Sequence, residues 1–322
     1  MFRGIVDDME CAVIVVLLII LLLVWSSTLV FYKDRQTKPL ETDESKCFAP
    51  RCHSIIKVHE DTPSDVAVFM IHGFPSTPHV YAYASERLFD AGFDTFAYLM
   101  PGFGTDPKDL KKTTYTQWFD FTCRKYEQLR QKYHTVFVLG ISMGGFMAMH
   151  LSEVYHGSDK RPDAIVTVDA PIVYNSLKDH IVTRPVMYLV RILAIFKSTF
   201  ATGCVNGIDS VDGNEDWTGY KGLFIHQGLS LIVAENKVRK KLSLIDVPMF
   251  SMHECHDKTV PFGNFMIISR ENGSPDFRGR VVKMGSVNHN HHVLLMYRSV
   301  RVGLMDEILT FLEEKLHDKE TK

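Results

Sequence analysis

Beyond about residue 55, apolar residues gather into short runs separated by segments in which they recur at helical spacing. Val66 to Ile71 reads as a strand and His79 to Ala91 as a helix; Thr95 to Leu99 and Tyr115 to Tyr133 repeat the pair. Val136 to Leu139 makes a third strand, followed by a helix through Phe146 to Leu151, and Ala164 to Val168 a fourth. Such alternation predicts an α/β fold, a mostly parallel sheet with helices on both faces. Between Pro171 and about Leu244 the rhythm breaks. An apolar helical stretch, Pro185 to Phe196, precedes a Gly/Asp/Asn-rich loop from Gly203 to Gly219, and residues 172–244 are expected to form a small helical cap. Strands resume at Pro248 to Met252 and Arg280 to Met284. A closing helix over Val300 to Leu316 carries Leu304, Ile308, Phe311 and Leu312 on one face.

The start of the chain has a different texture. Between Glu10 and Lys33 lie 22 residues without a formal charge, roughly 33 Å as a helix, which predicts a transmembrane anchor over 11–32 after a tail of 1–10. A cleavable signal peptide fits less well, because Asp7, Asp8 and Glu10 stand where a basic start is usual. Lys33, Arg35 and Lys38 follow the span and Arg3 precedes it, so the positive-inside tendency points to a single-pass membrane protein with a cytoplasmic domain. Residues 33–54 are polar and read as a stalk, leaving 55–322 for one domain that includes the cap. With 46% hydrophobic residues and 23% charged, that domain can bury one large core. A net charge of -2 without a long basic run excludes nucleic acid as an expected partner. Six cysteines are scattered. Cys47 and Cys52 could close a loop in an oxidising compartment, but free thiols are the default reading.

Candidate chemistry falls just after the apolar runs, where the carboxyl ends of parallel strands deliver it. Gly140-Ile141-Ser142-Met143-Gly144 follows the Val136 to Leu139 strand and opens a helix. This is the pattern of a nucleophile elbow, whose strained serine needs small neighbours two positions away on each side. A serine hydroxyl becomes a nucleophile when a base takes its proton and a carboxylate orients that base. His292 is the expected base, with His289 and His291 earlier in the same loop. Asp257 is the expected acid, with Glu254 and Asp169 as rivals. The backbone N–H groups of Met143 and Phe74 are the expected oxyanion donors. His72 is expected to shape that turn rather than to react. No cofactor is implied, and neither histidine-rich loop has an ordered zinc spacing, so no metal is expected.

His72-Gly73-Phe74, Gly102-Phe103-Gly104, Gly140 to Gly145, Val166-Thr167-Val168-Asp169-Ala170-Pro171, His256-Asp257 with Val260-Pro261, and His292-Val293 extend across nearly all of residues 66–316. In these segments the chain resembles the α/β-hydrolase superfamily, and within it the compact carboxylesterases and monoacylglycerol lipases. The resemblance implies a Ser-Asp-His triad made by Ser142, Asp257 and His292, a backbone oxyanion hole and a small helical cap. It also implies cofactor-free hydrolysis of carboxylic esters, with monoacylglycerol-like or short to medium acyl esters as substrates. A thioesterase, acyltransferase or peptidase would use the same elbow, and a tethered, non-catalytic binding protein is the reading from another class.

Overall fold

The computed structural model describes residues 2–28, 40–176, 178–182, 199–285 and 290–321. It opens with α1, Phe2–Thr28. Among the described residues no helix is long and apolar enough to cross a membrane. This corrects the anchor expected over 11–32, and with it the single-pass, cytoplasm-facing membrane placement.

From residue 40 the chain lies against the domain. The Thr42 hydroxyl donates to Leu99 O at 2.8 Å, the Ser54 hydroxyl accepts the Leu99 N–H at 2.9 Å, and Cys52 is buried. All six cysteines are free.

The sheet is built from β1 (Ile55–Lys57), β2 (Val66–Ile71), β3 (Asp94–Ala97), β4 (Thr135–Ile141), β5 (Ala164–Val168), β10 (Met249–Glu254) and β11 (Phe277–Val282). Their order is β1-β3-β2-β4-β5-β10-β11, with β1 antiparallel at the edge and the rest parallel. Side chains alternate between the faces, as the two-residue repeat of a strand requires. Phe69, Ile71, Val136 and Val138 pack with Trp118 and Phe121 of α4 (Tyr115–Lys132) and Phe146 and Met147 of α5 (Met143–Val154). Val68, Met70, Phe137 and Leu139 pack instead with Leu88 of α2 (Ala82–Asp90) and Leu304, Ile308 and Phe311 of α8 (Arg298–Glu320). Burial on both faces explains why these strands read as unbroken apolar runs.

Strand register decides where the chemistry emerges. Ile71 pairs with Gly140, Ile141 with Val168, and Val168 with Met252. The residues that follow, among them His72, Ser142 and Asp169, therefore leave the sheet along one edge.

Between β5 and β10 come two small antiparallel pairs, β6 (Asn175–Ser176) with β7 (Ile181–Val182) and β8 (Thr199–Asn206) with β9 (Thr218–Phe224), followed by α6, Ile225–Val238. The helical stretch expected over Pro185 to Phe196 lies outside the described residues. The loop expected over Gly203 to Gly219 is mostly the connection between β8 and β9, with its two ends inside those strands. Thr, Phe, Val and Tyr positions favour cross-strand pairing, and the Gly-rich turn is confined to the connection, where Gly207 and Gly213 take φ of 97° and 93°. β9 is laid across the turn that carries Phe74: Tyr220 N–H donates to Pro75 O at 3.0 Å, and the Tyr220 hydroxyl accepts the Thr105 N–H at 2.8 Å. Two further short helices are α3 (Pro107–Leu110) and α7 (Gly263–Glu271).

Candidate active site

Ser142 ends β4 and starts α5 with φ 56° and ψ −125°, a left-handed conformation that a non-glycine residue takes only when its surroundings impose it. Its N–H donates to Val168 O at 2.8 Å on the neighbouring strand, and its O accepts the Phe146 N–H at 3.1 Å. Backbone contacts this tight leave no room at the flanking positions. A Cβ on Gly140 would lie 2.2 Å from Gly144 O, and one on Gly144 would lie 1.7 Å from Ile71 O. The small-residue requirement inferred from the elbow pattern is thus a requirement of packing between β2, β4 and α5.

Met143 is the first residue of α5, so its N–H has no acceptor within the helix and points outward with the positive end of the helix dipole. Phe74 faces it from the turn after β2, and both line one pocket with Ser142. That turn is fixed by His72. Its Nδ1–H donates to Gly73 O at 3.0 Å and its Nε2 accepts the Met100 N–H at 3.2 Å. Burial drives its pKa down to about 4, so it stays neutral with both nitrogens engaged.

Asp257 and His292 meet directly, Nδ1 to Oδ2 at 2.7 Å. The other carboxylate oxygen of Asp257 accepts the N–H groups of Thr259 at 2.7 Å and Val260 at 3.0 Å. Those bonds lock the carboxylate, and the carboxylate in turn leaves the proton of the neutral imidazole on Nδ1 and Nε2 free to accept. Burial opposes the charged imidazole, yet the Asp257 charge and hydrogen bond, with the Asp169 charge behind them, carry the His292 pKa above its ordinary value. The Ser142 hydroxyl shares its pocket with Thr259, Val260 and Pro261, the residues directly after Asp257. Ser142 and His292 are not hydrogen-bonded to each other here, and such bonds commonly tighten only in the substrate complex.

The rivals are doing other things. Asp169, with φ 49°, accepts the N–H groups of Glu254 at 3.1 Å and Leu294 at 3.2 Å, tying three strand ends together. Its burial, and then the neighbouring Asp257 charge, push its pKa upward. It lies close to the pair, with donor atoms of Asp169, Asp257 and His292 all within 4.8 Å of one another. Glu254 faces His291 at 3.3 Å and accepts the Met284 N–H at 3.0 Å. His289 is outside the described residues.

The pocket encloses a cavity of about 120 Å³. Its walls are mainly apolar, with Phe74, Met143, Val173, Leu231 and Val260. Asn264 is spent on backbone, accepting the N–H groups of Ile172 and Val173, both at 2.8 Å. Glu235 of α6 is different. It is 2% exposed, and its Oε2 has no hydrogen-bond partner among the described residues. Burial pushes its pKa up to about 8, so at neutral pH it is an uncharged acid facing the pocket. The sequence alone did not single it out, because a lone glutamate in an amphipathic helix looks like any solvated charge.

A doubly covered parallel sheet with a strained serine at the turn after β4, and an acid and a histidine delivered beyond β10 and β11, defines an α/β hydrolase. A family model described as the alpha/beta hydrolase fold matches residues 66–199. A thermostable monoacylglycerol lipase of Bacillus sp. (strain H-257) is 35% identical over 88 residues, 27% of this chain and 35% of that protein, so the match spans about a third of that relative's length. Two solved structures share the fold at under a fifth identity. One belongs to a study of the metagenome-derived lipolytic enzymes LipS and LipT (TM-score 0.66, 19% identity, 82% of this chain and 98% of that one). The other is the monoacylglycerol lipase of Paleococcus ferrophilus (TM-score 0.64, 18% identity, 82% and 98%).

Proposed function

We propose that the protein is a serine hydrolase of carboxylic esters, with monoacylglycerol-like or short to medium acyl esters as substrates. Ser142 attacks the ester carbonyl while His292 takes its proton; His292 then protonates the departing alcohol, and water releases the acid from the acyl-enzyme. Asp257 orients His292 and stabilises the imidazolium. The N–H groups of Met143 and Phe74 receive the oxyanion, each worth roughly 3 kcal/mol in such a site. The segment 172–244 serves as a cap that supplies part of the acyl wall through Val173 and Leu231. What carries this reading is the strained Ser142 turn opening on the same pocket as the loop of the Asp257–His292 pair. The ester preference is supported by the named activities of the similar proteins.

Labelling with a fluorophosphonate tests the proposal. The wild-type chain is expected to react at one serine and Ser142→Ala to stay unlabelled, whereas a binding protein on this fold would not label at all. Asp257→Asn is expected to lower kcat by about 10³- to 10⁴-fold, because an amide can donate to Nδ1 and so favours the wrong tautomer. An unchanged rate would move the acid to Asp169 or Glu254.

Glu235 bears on the alcohol side of the substrate. An uncharged buried acid donates one hydrogen bond, so the pocket favours an ester whose alcohol carries a further hydroxyl. Glu235→Leu is expected to raise KM for a monoacylglycerol by roughly 3- to 10-fold relative to the methyl ester of the same acid, with kcat nearly constant. Equal changes for both esters would reduce Glu235 to a packing role.

A further inference from the structure

The loops after β10 and β11 also meet at a second cluster of donors, next to but apart from the Asp257–His292 pair. Glu254 is fully buried at the end of β10, Cys255 is half-buried and the His256 side chain is 59% exposed. The Cys255 Sγ lies 3.3 Å from His256 Nδ1 and 3.9 Å from Glu254 Oε1, and Nδ1 lies 3.6 Å from Oε1. A tetrahedral zinc ion bonded at about 2.0–2.3 Å to N, O and S holds its ligand atoms roughly 3.3–3.7 Å apart. Three donors therefore stand near the corners of one face of such a tetrahedron.

The surroundings suit a metal as well. The Glu254 carboxylate is held in place by the N–H groups of Met284 and His256, the backbone support that orients a ligating carboxylate. His291, across the cluster, has Nδ1 at 3.3 Å from Glu254 Oε2 and its ring centroid 6.4 Å from that of His256. The exposed His256 leaves a path from solvent. Consecutive positions 254–256 and the distant His291 form no zinc spacing along the sequence, which is why the motif reading expected no metal.

We propose that Glu254, Cys255 and His256, with His291 alongside, form a binding site for a divalent cation of the zinc class. A thiol, an imidazole and one carboxylate select a borderline-soft ion over magnesium or calcium. The thiol gives up its proton to solvent as the metal–sulfur bond forms.

Cobalt(II) titrated into the full chain tests the site without reference to activity. The expected result is a thiolate-to-cobalt charge-transfer band that saturates at one ion per chain, is displaced by zinc and is absent in Cys255→Ser. His256→Ala is expected to weaken cobalt binding at least roughly tenfold. A wild-type chain without the band, or a band that survives in Cys255→Ser, overturns the site.

Discussion

Ser142→Ala is expected to lower ester turnover by roughly 10⁴- to 10⁶-fold while the melting curve stays close to wild type. The loss is large because no other group can be acylated from the same position: the serine is held by the strained turn between β4 and α5, with φ 56° and its N–H on Val168 O. His292→Ala should cost about as much, since an unassisted hydroxyl at neutral pH is a poor nucleophile. The double substitution should cost little more than either alone, because residues that act as a unit are not additive. Single-turnover kinetics on a chromogenic ester with a parallel thermal melt measures all three. Near-normal turnover in Ser142→Ala would end the hydrolytic reading.

The second large effect is expected in a residue that touches no substrate. At Gly144 a Cβ would meet Ile71 O at 1.7 Å and Ile71 C at 2.5 Å, both backbone atoms of a central strand. Neither can swing aside as a side chain would. Gly144→Ala is therefore expected to destabilise the domain by about 3 kcal/mol or more and to lower Tm by on the order of 5–10 °C. It should also reduce activity beyond the loss of folded protein, because the displaced segment leads through His72 and Gly73 to Phe74. Gly303, within α8, is the contrast: a Cβ there meets nothing within 4 Å. Gly303→Ala should gain about 0.5–1 kcal/mol from helix propensity alone. A stability for Gly144→Ala equal to wild type would refute the close packing of β2 on α5.

Local pattern carried much of this architecture. The strands expected at Val66 to Ile71 and Ala164 to Val168 occur with those bounds, and the helix expected from Tyr115 to Tyr133 runs Tyr115–Lys132. These segments are buried from both sides, so their apolar content is dictated wherever they sit in the sheet. The loop expected over Gly203 to Gly219 holds for the connection between β8 and β9, while its ends were missed as strand because glycines within paired strands look like turn residues until the partner strand is known. The membrane anchor was inferred from the length and the uncharged, mostly Val, Ile and Leu composition of the segment, and among the described residues no helix is long and apolar enough to cross a membrane.

The acid could not be settled by position. Asp257, Glu254 and Asp169 all stand at strand ends, and the chain order fits more than one of them. Only the packed loops show Asp257 at 2.7 Å from His292 while Asp169 holds two backbone N–H groups and Glu254 faces His291.

By itself the sequence determined the alternation of strand and helix, the elbow at Ser142 and the histidine loop, because each is set by neighbours within a few residues. Tertiary structure alone decided which carboxylate meets His292, that Glu235 sits uncharged in the pocket, and that Glu254, Cys255 and His256 turn their donors toward one point. Those outcomes depend on contacts between segments far apart in the chain, and on how much water the surrounding atoms exclude. Neither quantity exists until the sheet, the loops and α6 have packed.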